Sequence, residues 1–262
     1  MNNSKIYFAS DFHLGIPNHE SSLIREKKLV RWLDMVLKDA TEIFLLGDIF
    51  DFWFEYKYVI PKGYVRLLGK IAEITDSGIP IHIFRGNHDI WAFDYFKKEL
   101  NCELHRKPVI REFDNKKFFL AHGDGLGPGD KGYKFLKKVF EFKPNQFLFN
   151  WLHPDIGARM GLYFSQKSRL ANIAKFKKKP VKIALKDEML VQYVKRKTEQ
   201  NPDIDFFIFG HRHIPLQEKI GDKAEIIILG DWIYLFSYGV FENGKMSLKY
   251  FELDGANLPE YY

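Results

Sequence analysis

Five short polar motifs are spread along this 262-residue chain, and each directly follows a short apolar run. They are Asp11-Phe12-His13, Gly47-Asp48, Gly86-Asn87-His88-Asp89, Ala121-His122-Gly123-Asp124 and Gly210-His211-Arg212-His213. Carboxylate oxygen, amide oxygen and imidazole nitrogen, without thiolate, are donors that suit hard or borderline divalent cations. On an extended segment the side chains at i and i+2 point the same way, so Asp11 and His13 can present two ligands together. The same holds for His211 and His213, and the motifs therefore indicate metal chemistry.

Each motif taken alone has an ordinary explanation. An isolated Asp-x-His or His-x-His is usually surface polarity, and Gly-Asp or Gly-Asn is usually a turn. Their shared position at predicted strand ends favours one common site, because ligands of open α/β sheets bind at the carboxyl ends of strands. Two cations about 3.5–4 Å apart need a bridging carboxylate. Asp48, which stands alone after its strand, is the expected bridge.

The segments that must position these motifs alternate between strand and helix patterns. Apolar runs over residues 5–10, 42–46 and 81–85 predict strands, and apolar residues recur at helical spacing over 29–37 and 65–74. This alternation predicts βαβ units and a parallel sheet. Further short runs follow at 117–121, 205–209 and 225–229, and Asn243-Gly244 predicts a hairpin. We expect an α/β core formed by residues 1–130 and 201–262, interrupted by a helical insertion, or lid, over 131–200.

Composition narrows the class of partner. The net charge of +6 suits an anionic partner, although excess lysine can also serve solubility alone. The basic residues cluster in an aromatic insertion and not along an extended groove, so we expect no nucleic acid partner. Cys102 is the single cysteine, which excludes an internal disulfide and suits a reducing compartment. With no signal-peptide pattern and no apolar run of about 20 residues, we expect a cytoplasmic protein, peripheral to an anionic membrane surface and without an obligate protein partner.

In order and in residue type, the five motifs resemble those of the calcineurin-like metallophosphoesterase family, whose pattern is DxH, GD, GNHD/E, GH and GHxH. The resemblance covers most of the chain and implies a four-layer αββα sandwich, of the α/β (α+β) class, that acts as a dinuclear-metal hydrolase with Mn²⁺ as the expected ion. Carried over residue by residue, it implies a first metal bound by Asp11, His13, Asp48 and His213, and a second bound by Asp48, Asn87, His122 and His211. Such ions lower the pKa of water and neutralise charge on a transferring phosphoryl group.

The motif that follows the third predicted strand also supplies candidate catalytic residues. His88 is placed to donate a hydrogen bond or a proton to the departing oxygen. Asp89 either orients the His88 imidazole or simply closes the turn, and the sequence does not decide between the two.

Within the family, the chain is similar to the UDP-2,3-diacylglucosamine diphosphatases, which release 2,3-diacylglucosamine 1-phosphate and UMP in lipid A biosynthesis. The similar segments are 10–15 (SDFHLG), 47–53 (GDIFDFW), 122–124 (HGD) and 229–232 (LGDW). The resemblance implies substrate contacts from Asn87, His88, Asp130, Tyr133, Ser168, Asn172, Lys175 and His211. His88 stands where the best-known branch of these enzymes has Arg, so another nucleotide or phosphodiester remains the alternative substrate.

The predicted insertion has its own chemistry. Ser168, Asn172 and Lys175 are spaced i, i+4 and i+7, so on a helix they form one polar stripe that could bind a sugar-phosphate. An ordinary solvated helix face is the alternative. The surrounding apolar residues are Phe135, Phe140, Phe142, Phe147, Phe149, Trp151, Leu152, Phe164 and Phe176. Part of this set must form the core of the insertion, and we expect the rest to line a groove for acyl chains, with Lys177-Lys178-Lys179 approaching anionic headgroups.

Overall fold

The structure is a computed structural model that describes residues 4–178 and 188–252, without the side chains of residues 169–178. Within that part of the chain, two β-sheets lie face to face. The first contains β1 (Ile6–Ala9), β2 (Glu42–Leu45), β3 (Ile81–Phe84), β4 (Glu103–His105), β10 (Ser237–Glu242) and β11 (Lys245–Tyr250), in the order β11-β10-β1-β2-β3-β4. The second contains β5 (Val109–Phe113), β6 (Lys116–Leu120), β7 (Phe206–Phe209), β8 (Pro215–Ile220) and β9 (Ala224–Leu229), in the order β5-β6-β7-β9-β8.

Parallel strands occupy the middle of both sheets. In the first sheet β1, β2, β3 and β4 run parallel, and β10 joins β1 in the antiparallel direction. In the second sheet β6, β7 and β9 run parallel, with β5 and β8 as antiparallel edges. The Asn243-Gly244 turn connects β10 to β11 as the sequence predicts. Because both faces of the central strands are covered, their sequences are almost continuously apolar.

Helices cover the outer face of each sheet. The helices of the structure are α1 (His19–Val36), α2 (Val65–Asp76), α3 (Tyr95–Leu100), α4 (Lys131–Glu141), α5 (Lys143–Asn150), α6 (Pro154–Lys178) and α7 (Met189–Gln200). Side chains of α1 and α2 pack on the first sheet, and Leu190, Val191 and Val194 of α7 pack on the second. Ile6 and Phe8 point between the sheets, whereas Tyr7 and Ala9 point toward α1 and α2. The predicted four-layer αββα sandwich is therefore confirmed.

The predicted insertion begins with helices that contact the sandwich only sparsely. Neither α4 nor α5 contains a buried residue within the described range. Phe140 and Phe149 are half-buried against Trp91, and the Trp91 indole donates a hydrogen bond of 2.9 Å to the Phe140 carbonyl. By contrast, α7 belongs to the outer layer of the second sheet. The division of the chain into core and lid remains a prediction.

The buried tryptophan that follows β9 provides a test of how the site is supported. Trp232 packs against Trp32 and Phe12, with ring centroids 5.1 and 5.5 Å away, and its backbone N–H donates to the Asp11 carbonyl. We expect Trp232→Ala to lower the free energy of unfolding by about 3–5 kcal/mol, because it leaves a large cavity beneath the Asp11 loop. Urea unfolding measures the change. Tyr234→Ala, in the same loop but 48% exposed, should change it by less than about 0.5 kcal/mol, and equal losses would contradict this assignment.

Candidate metal centre

The loops that follow the parallel strands bring the predicted ligands to one end of the sandwich. The backbone N–H groups of Asp11 and His13 donate to the carbonyls of Gly47 and Asp48, which joins the loops after β1 and β2. The Gly210 N–H donates to the His122 carbonyl, which joins the loops after β6 and β7. The two pairs of loops meet where the His211 N–H donates to the Asp11 carboxylate over 2.8 Å.

The ligand loops have an unusual backbone conformation. Positive φ angles occur at Asp11 (58°), His13 (44°), Asp48 (52°), His211 (68°) and His213 (54°). Non-glycine residues rarely adopt this left-handed region, and such strain concentrates at functional sites. The expectation that Asp11 and His13 lie side by side on an extended segment is therefore wrong, and so is that for His211 and His213. Their side chains converge because the loops turn.

Asp11, His13 and His213 form the first group of potential ligands. The Nε2 atoms of His13 and His213 are 3.2 Å apart. Asp11 Oδ1 lies 3.7 Å from His13 Nε2 and 3.5 Å from His213 Nε2. Ligands bound at about 2.0–2.1 Å to one octahedral ion lie roughly 3 Å from their neighbours, so these atoms need to move little to share one.

Asp48, His122 and His211 form the second group. Asp48 Oδ2 is 3.3 Å from His122 Nε2, and Asn87 Oδ1 is also 3.3 Å from that nitrogen. The same Asp48 oxygen lies 3.6 Å from His13 Nε2 of the first group. Asp48 thus lies between the two groups, which is the position that a bridging carboxylate requires. The structure brings all the sequence-predicted metal ligands together.

Hydrogen bonds on the far side of the imidazoles determine which nitrogen faces the centre. His122 Nδ1 contacts the Leu46 carbonyl at 2.6 Å, so Nδ1 must carry a proton and Nε2 is the nitrogen that faces the centre. His213 Nδ1 lies 3.4 Å from Asp231 Oδ2, and His13 Nδ1 lies 3.3 Å from Asp51 Oδ1. The sequence identified Asp51 and Asp231 only as parts of motifs. Asp231 follows a glycine at a strand end, as Asp48 does, and that was the available signal.

The charges and the unpaired atoms of the site fit divalent cations. Asp11 Oδ1 is buried and has no hydrogen-bond partner among the described residues, because Ser10 and the His211 N–H contact only Oδ2. Burial alone would raise the pKa of Asp11, but the facing His213 and His13 bring it to about 2. Burial alone would lower the pKa of His122, but the Asp48 carboxylate raises it to about 10. The buried carboxylates thus attract positive charge, which bound cations would supply.

His88 and Asp89, although adjacent in sequence, contact different parts of the site. His88 Nδ1 contacts the Asp51 backbone carbonyl at 2.9 Å and lies 3.2 Å from Ser165 Oγ. Asp89 instead accepts from the N–H groups of Gly86 and Ile49, at 2.6 and 2.8 Å. The hypothesis that Asp89 orients the His88 imidazole is therefore wrong, because both of its oxygens close the turn. Burial lowers the pKa of His88.

The predicted substrate contacts are only partly assembled. The Tyr133 hydroxyl donates to Asp124 Oδ2 at 2.5 Å, and its ring lies 6.3 Å from that of His211. Asp130 is exposed at the start of α4, and Ser168 is exposed on α6. The side chains of Asn172, Lys175, Phe176, Lys177 and Lys178, and the whole of Lys179, lie outside the described residues. Ser165, one turn before Ser168, donates to Asp51 Oδ2 at 2.6 Å, a contact that the sequence did not reveal.

The fold and the donor set together define a metal-dependent phosphoesterase. A family model described as calcineurin-like phosphoesterase matches residues 4–215. The chain belongs to the calcineurin-like phosphoesterase family and is a hydrolase.

Curated relatives extend over nearly the whole chain. A UDP-2,3-diacylglucosamine hydrolase of Porphyromonas gingivalis is 37% identical over 258 residues, which cover 95% of this chain and 98% of the relative. Another UDP-2,3-diacylglucosamine hydrolase, from Aeromonas hydrophila, is 27% identical over 92% of this chain and 96% of its own length. The solved structure of Yfce, a phosphoesterase from E. coli, superposes with a TM-score of 0.47 and 15% identity over 95% of this chain and 93% of its own.

The glycine that begins the third motif tests the assembly of the centre. A Cβ atom on Gly86 would lie 2.6 Å from the Asp48 backbone nitrogen and closer still to its carboxylate. We expect Gly86→Ala to displace Asp48 and to lower the content of divalent metal, measured by mass spectrometry after dialysis against Mn²⁺. Gly69→Ala in α2, where a Cβ meets nothing within 4 Å, should keep the full metal content and raise stability by up to about 1 kcal/mol. Full metal content in Gly86→Ala would contradict the proposed role of this close approach.

Proposed function

We propose that this hydrolase cleaves the pyrophosphate of UDP-2,3-diacylglucosamine and releases 2,3-diacylglucosamine 1-phosphate and UMP. The observation that carries this proposal is the end-to-end similarity to a hydrolase named for that substrate, 37% identical over 98% of its length. The match therefore includes the helices α4, α5 and α6 as well as the metal centre. A phosphoesterase of another specificity would need to share only the metal centre with that hydrolase, and not these helices.

The metal ligands that we propose follow the two groups of the centre. Asp11, His13, Asp48 and His213 would hold the first ion, and Asp48, Asn87, His122 and His211 would hold the second. Mn²⁺ is the ion we propose from the family resemblance, and a donor set without thiolate is compatible with it. When bound, such ions lower the pKa of water and neutralise the charge on the phosphoryl oxygens. The chain itself fixes the ligands through the Leu46 carbonyl, Asp51 and Asp231.

His88 is the residue that we propose to serve the leaving group. Its Nδ1 proton is engaged by the Asp51 carbonyl, which leaves Nε2 as the nitrogen for the substrate. Burial lowers the pKa of His88 in the free protein, whereas the negative charge of a bound pyrophosphate acts in the opposite direction. Protonated Nε2 then donates to the oxygen that departs. An arginine at this position can donate a hydrogen bond but cannot release a proton.

The exposed apolar surface of the insertion supports a lipid substrate. Phe135, Phe147, Trp151 and Phe164 are between 59% and 76% exposed, whereas Phe140 and Phe149 pack on the sandwich. The rings of Phe147 and Trp151 lie 6.0 Å apart, and exposed apolar side chains that group together usually mark a binding site. We propose that it binds the acyl chains and, with nearby lysines, the anionic cytoplasmic face of a membrane. None of the helices within residues 4–178 and 188–252 has the length and apolar character needed to cross a bilayer.

Incubation with UDP-2,3-diacylglucosamine and Mn²⁺ tests the substrate directly. We expect UMP to be released, detected by chromatography, and we expect Asp48→Asn to lower the rate by at least about 1,000-fold, because the proposed bridge between the ions is lost. Circular dichroism should show that this variant is folded. Turnover of a simple chromogenic phosphodiester without release of UMP from the lipid substrate would favour another phosphodiester instead. Undiminished activity of Asp48→Asn would refute the bridge.

The proposed binding of acyl chains by the exposed aromatic residues can be tested separately. We expect Phe135→Ser combined with Trp151→Ser to lower kcat/KM for the lipid substrate by at least about tenfold, because each removes apolar area available to the acyl chains. Turnover of a small chromogenic phosphodiester should change little. The matched control is Ile110→Ser combined with Tyr250→Ser, which removes side chains that are 54% and 45% exposed outside the insertion. Equal losses for both substrates, or for both double variants, would remove the assignment.

A further inference from the structure

Another group of potential metal ligands, which shares no residue with the metal centre, lies within strands β3 and β4 of the first sheet. His82 of β3 is 5% exposed, and His105 of the edge strand β4 is 9% exposed. Glu103, also on β4, completes the group with an exposed side chain. The proposed function uses none of these residues.

The register of the strands places the group at the margin of the space between the two sheets. His82 is paired with Glu103, and Phe84 is paired with His105, so His82, Glu103 and His105 share a face. Phe44 and Phe84 on that face belong to the apolar core between the sheets. The Phe44 ring stacks on the His82 imidazole at 4.3 Å, and the Phe84 ring lies tilted against the His105 imidazole at 4.6 Å. The imidazoles are therefore held firmly by packing.

The distances between the donor atoms suit one small cation. His82 Nδ1 is 3.2 Å from His105 Nε2 and 3.1 Å from Glu103 Oε2, and His105 Nε2 is 3.7 Å from Glu103 Oε1. Ligands held at about 2.0–2.1 Å by a tetrahedral zinc ion lie roughly 3.3 Å from one another. Two imidazoles and a carboxylate are also a donor set that zinc accepts.

A carboxylate orients the His82 imidazole from the side opposite the proposed ion, as in many metal sites. His82 Nε2 lies 3.1 Å from the carboxylate of Glu42 on β2, which fixes the proton on Nε2 and turns the lone pair of Nδ1 toward His105. Burial, opposed by Glu103, lowers the pKa of His105 to about 4, so this imidazole is neutral at pH 7. Neutral imidazole is the form that binds metal.

The competing explanation is a simple hydrogen bond in which His105 donates to His82. Arg111 of the second sheet also contacts Glu103 Oε2 at 2.8 Å and would have to share that carboxylate. Neither contact accounts for two imidazole nitrogens and a carboxylate that converge within ligand distance of one another. We propose that His82 Nδ1, His105 Nε2 and the Glu103 carboxylate bind a Zn²⁺-class cation, with water as its fourth ligand. This ion would join the edge strand β4 to β3.

Anomalous diffraction at the zinc edge, from crystals of the full chain grown with Zn²⁺, locates the ion directly. We expect a peak between His82 and His105 in addition to the peaks at the metal centre. Peaks at the metal centre without one at this position would overturn the proposal. This readout does not depend on turnover, so it is separate from the test of the proposed function.

Variants test the same site in solution. After dialysis against Zn²⁺, His105→Gln should hold one zinc ion fewer than the unmodified protein and should lose part of the zinc-induced rise in Tm. Glu103→Gln, which alters an exposed side chain and should fold, is expected to bind this ion at least about tenfold more weakly. His153→Gln is the matched control, because its side chain is 67% exposed and belongs to no ligand group in the described residues. Unchanged zinc content in both His105→Gln and Glu103→Gln would contradict the proposal.

Discussion

The structure depends on one electrostatic constraint, which is that the carboxylates of Asp11 and Asp48 are both buried at the same end of the sandwich. Burial raises the pKa of each of these carboxyl groups, and the charge of Asp48 raises that of Asp11 further, so the pair needs compensating positive charge. Imidazoles supply part of it, and His122 is held protonated as a result. Divalent cations would supply the charge at shorter range and leave the imidazoles neutral. Asp11 Oδ1 is buried and accepts no hydrogen bond from the described residues. A metal site leaves such an oxygen without a partner when its geometry is fixed before the ion binds.

The packing of the two sheets stabilises this cluster of buried charged groups. Strands β1, β2 and β3 of one sheet and β6, β7 and β9 of the other end on the same side, and the apolar cores between and outside the sheets fix those ends. Positive φ angles at five ligands would each destabilise a loop by roughly 1–3 kcal/mol. Backbone hydrogen bonds between loops, such as those from Asp11 to Gly47 and from Trp232 to Asp11, hold them in place. Strain and ligand position are thus consequences of the same packing.

The sequence was sufficient to predict which side chains meet at the centre and insufficient to predict what orients them. Ligand types and strand-end positions are local properties, and the metal set was predicted from them and from the family resemblance. The turn-closing role of Asp89 depends on Gly86 and Ile49, and Ile49 lies 40 residues away in sequence. The contact of Ser165 with Asp51 joins residues 114 apart, and no spacing rule reaches that far. The left-handed backbone of Asp11 was also unpredictable, because a non-glycine residue adopts it only when tertiary contacts impose it.

Ser165 links the helical insertion to residues of the metal centre. It lies on α6 of the insertion, yet its hydroxyl contacts the Asp51 carboxylate, and Asp51 also contacts both His13 of the centre and His88. Among the described residues, Ser165 thus connects the insertion to Asp51 through a buried hydrogen bond, whereas Phe135, Phe147, Trp151 and Phe164 remain exposed. A change in the exposed aromatic residues, which we propose to bind the acyl chains, would leave the metal centre undisturbed. A change at Ser165 reaches His88 directly, so the helix that would recognise the substrate is also the helix that helps to position its proposed proton donor.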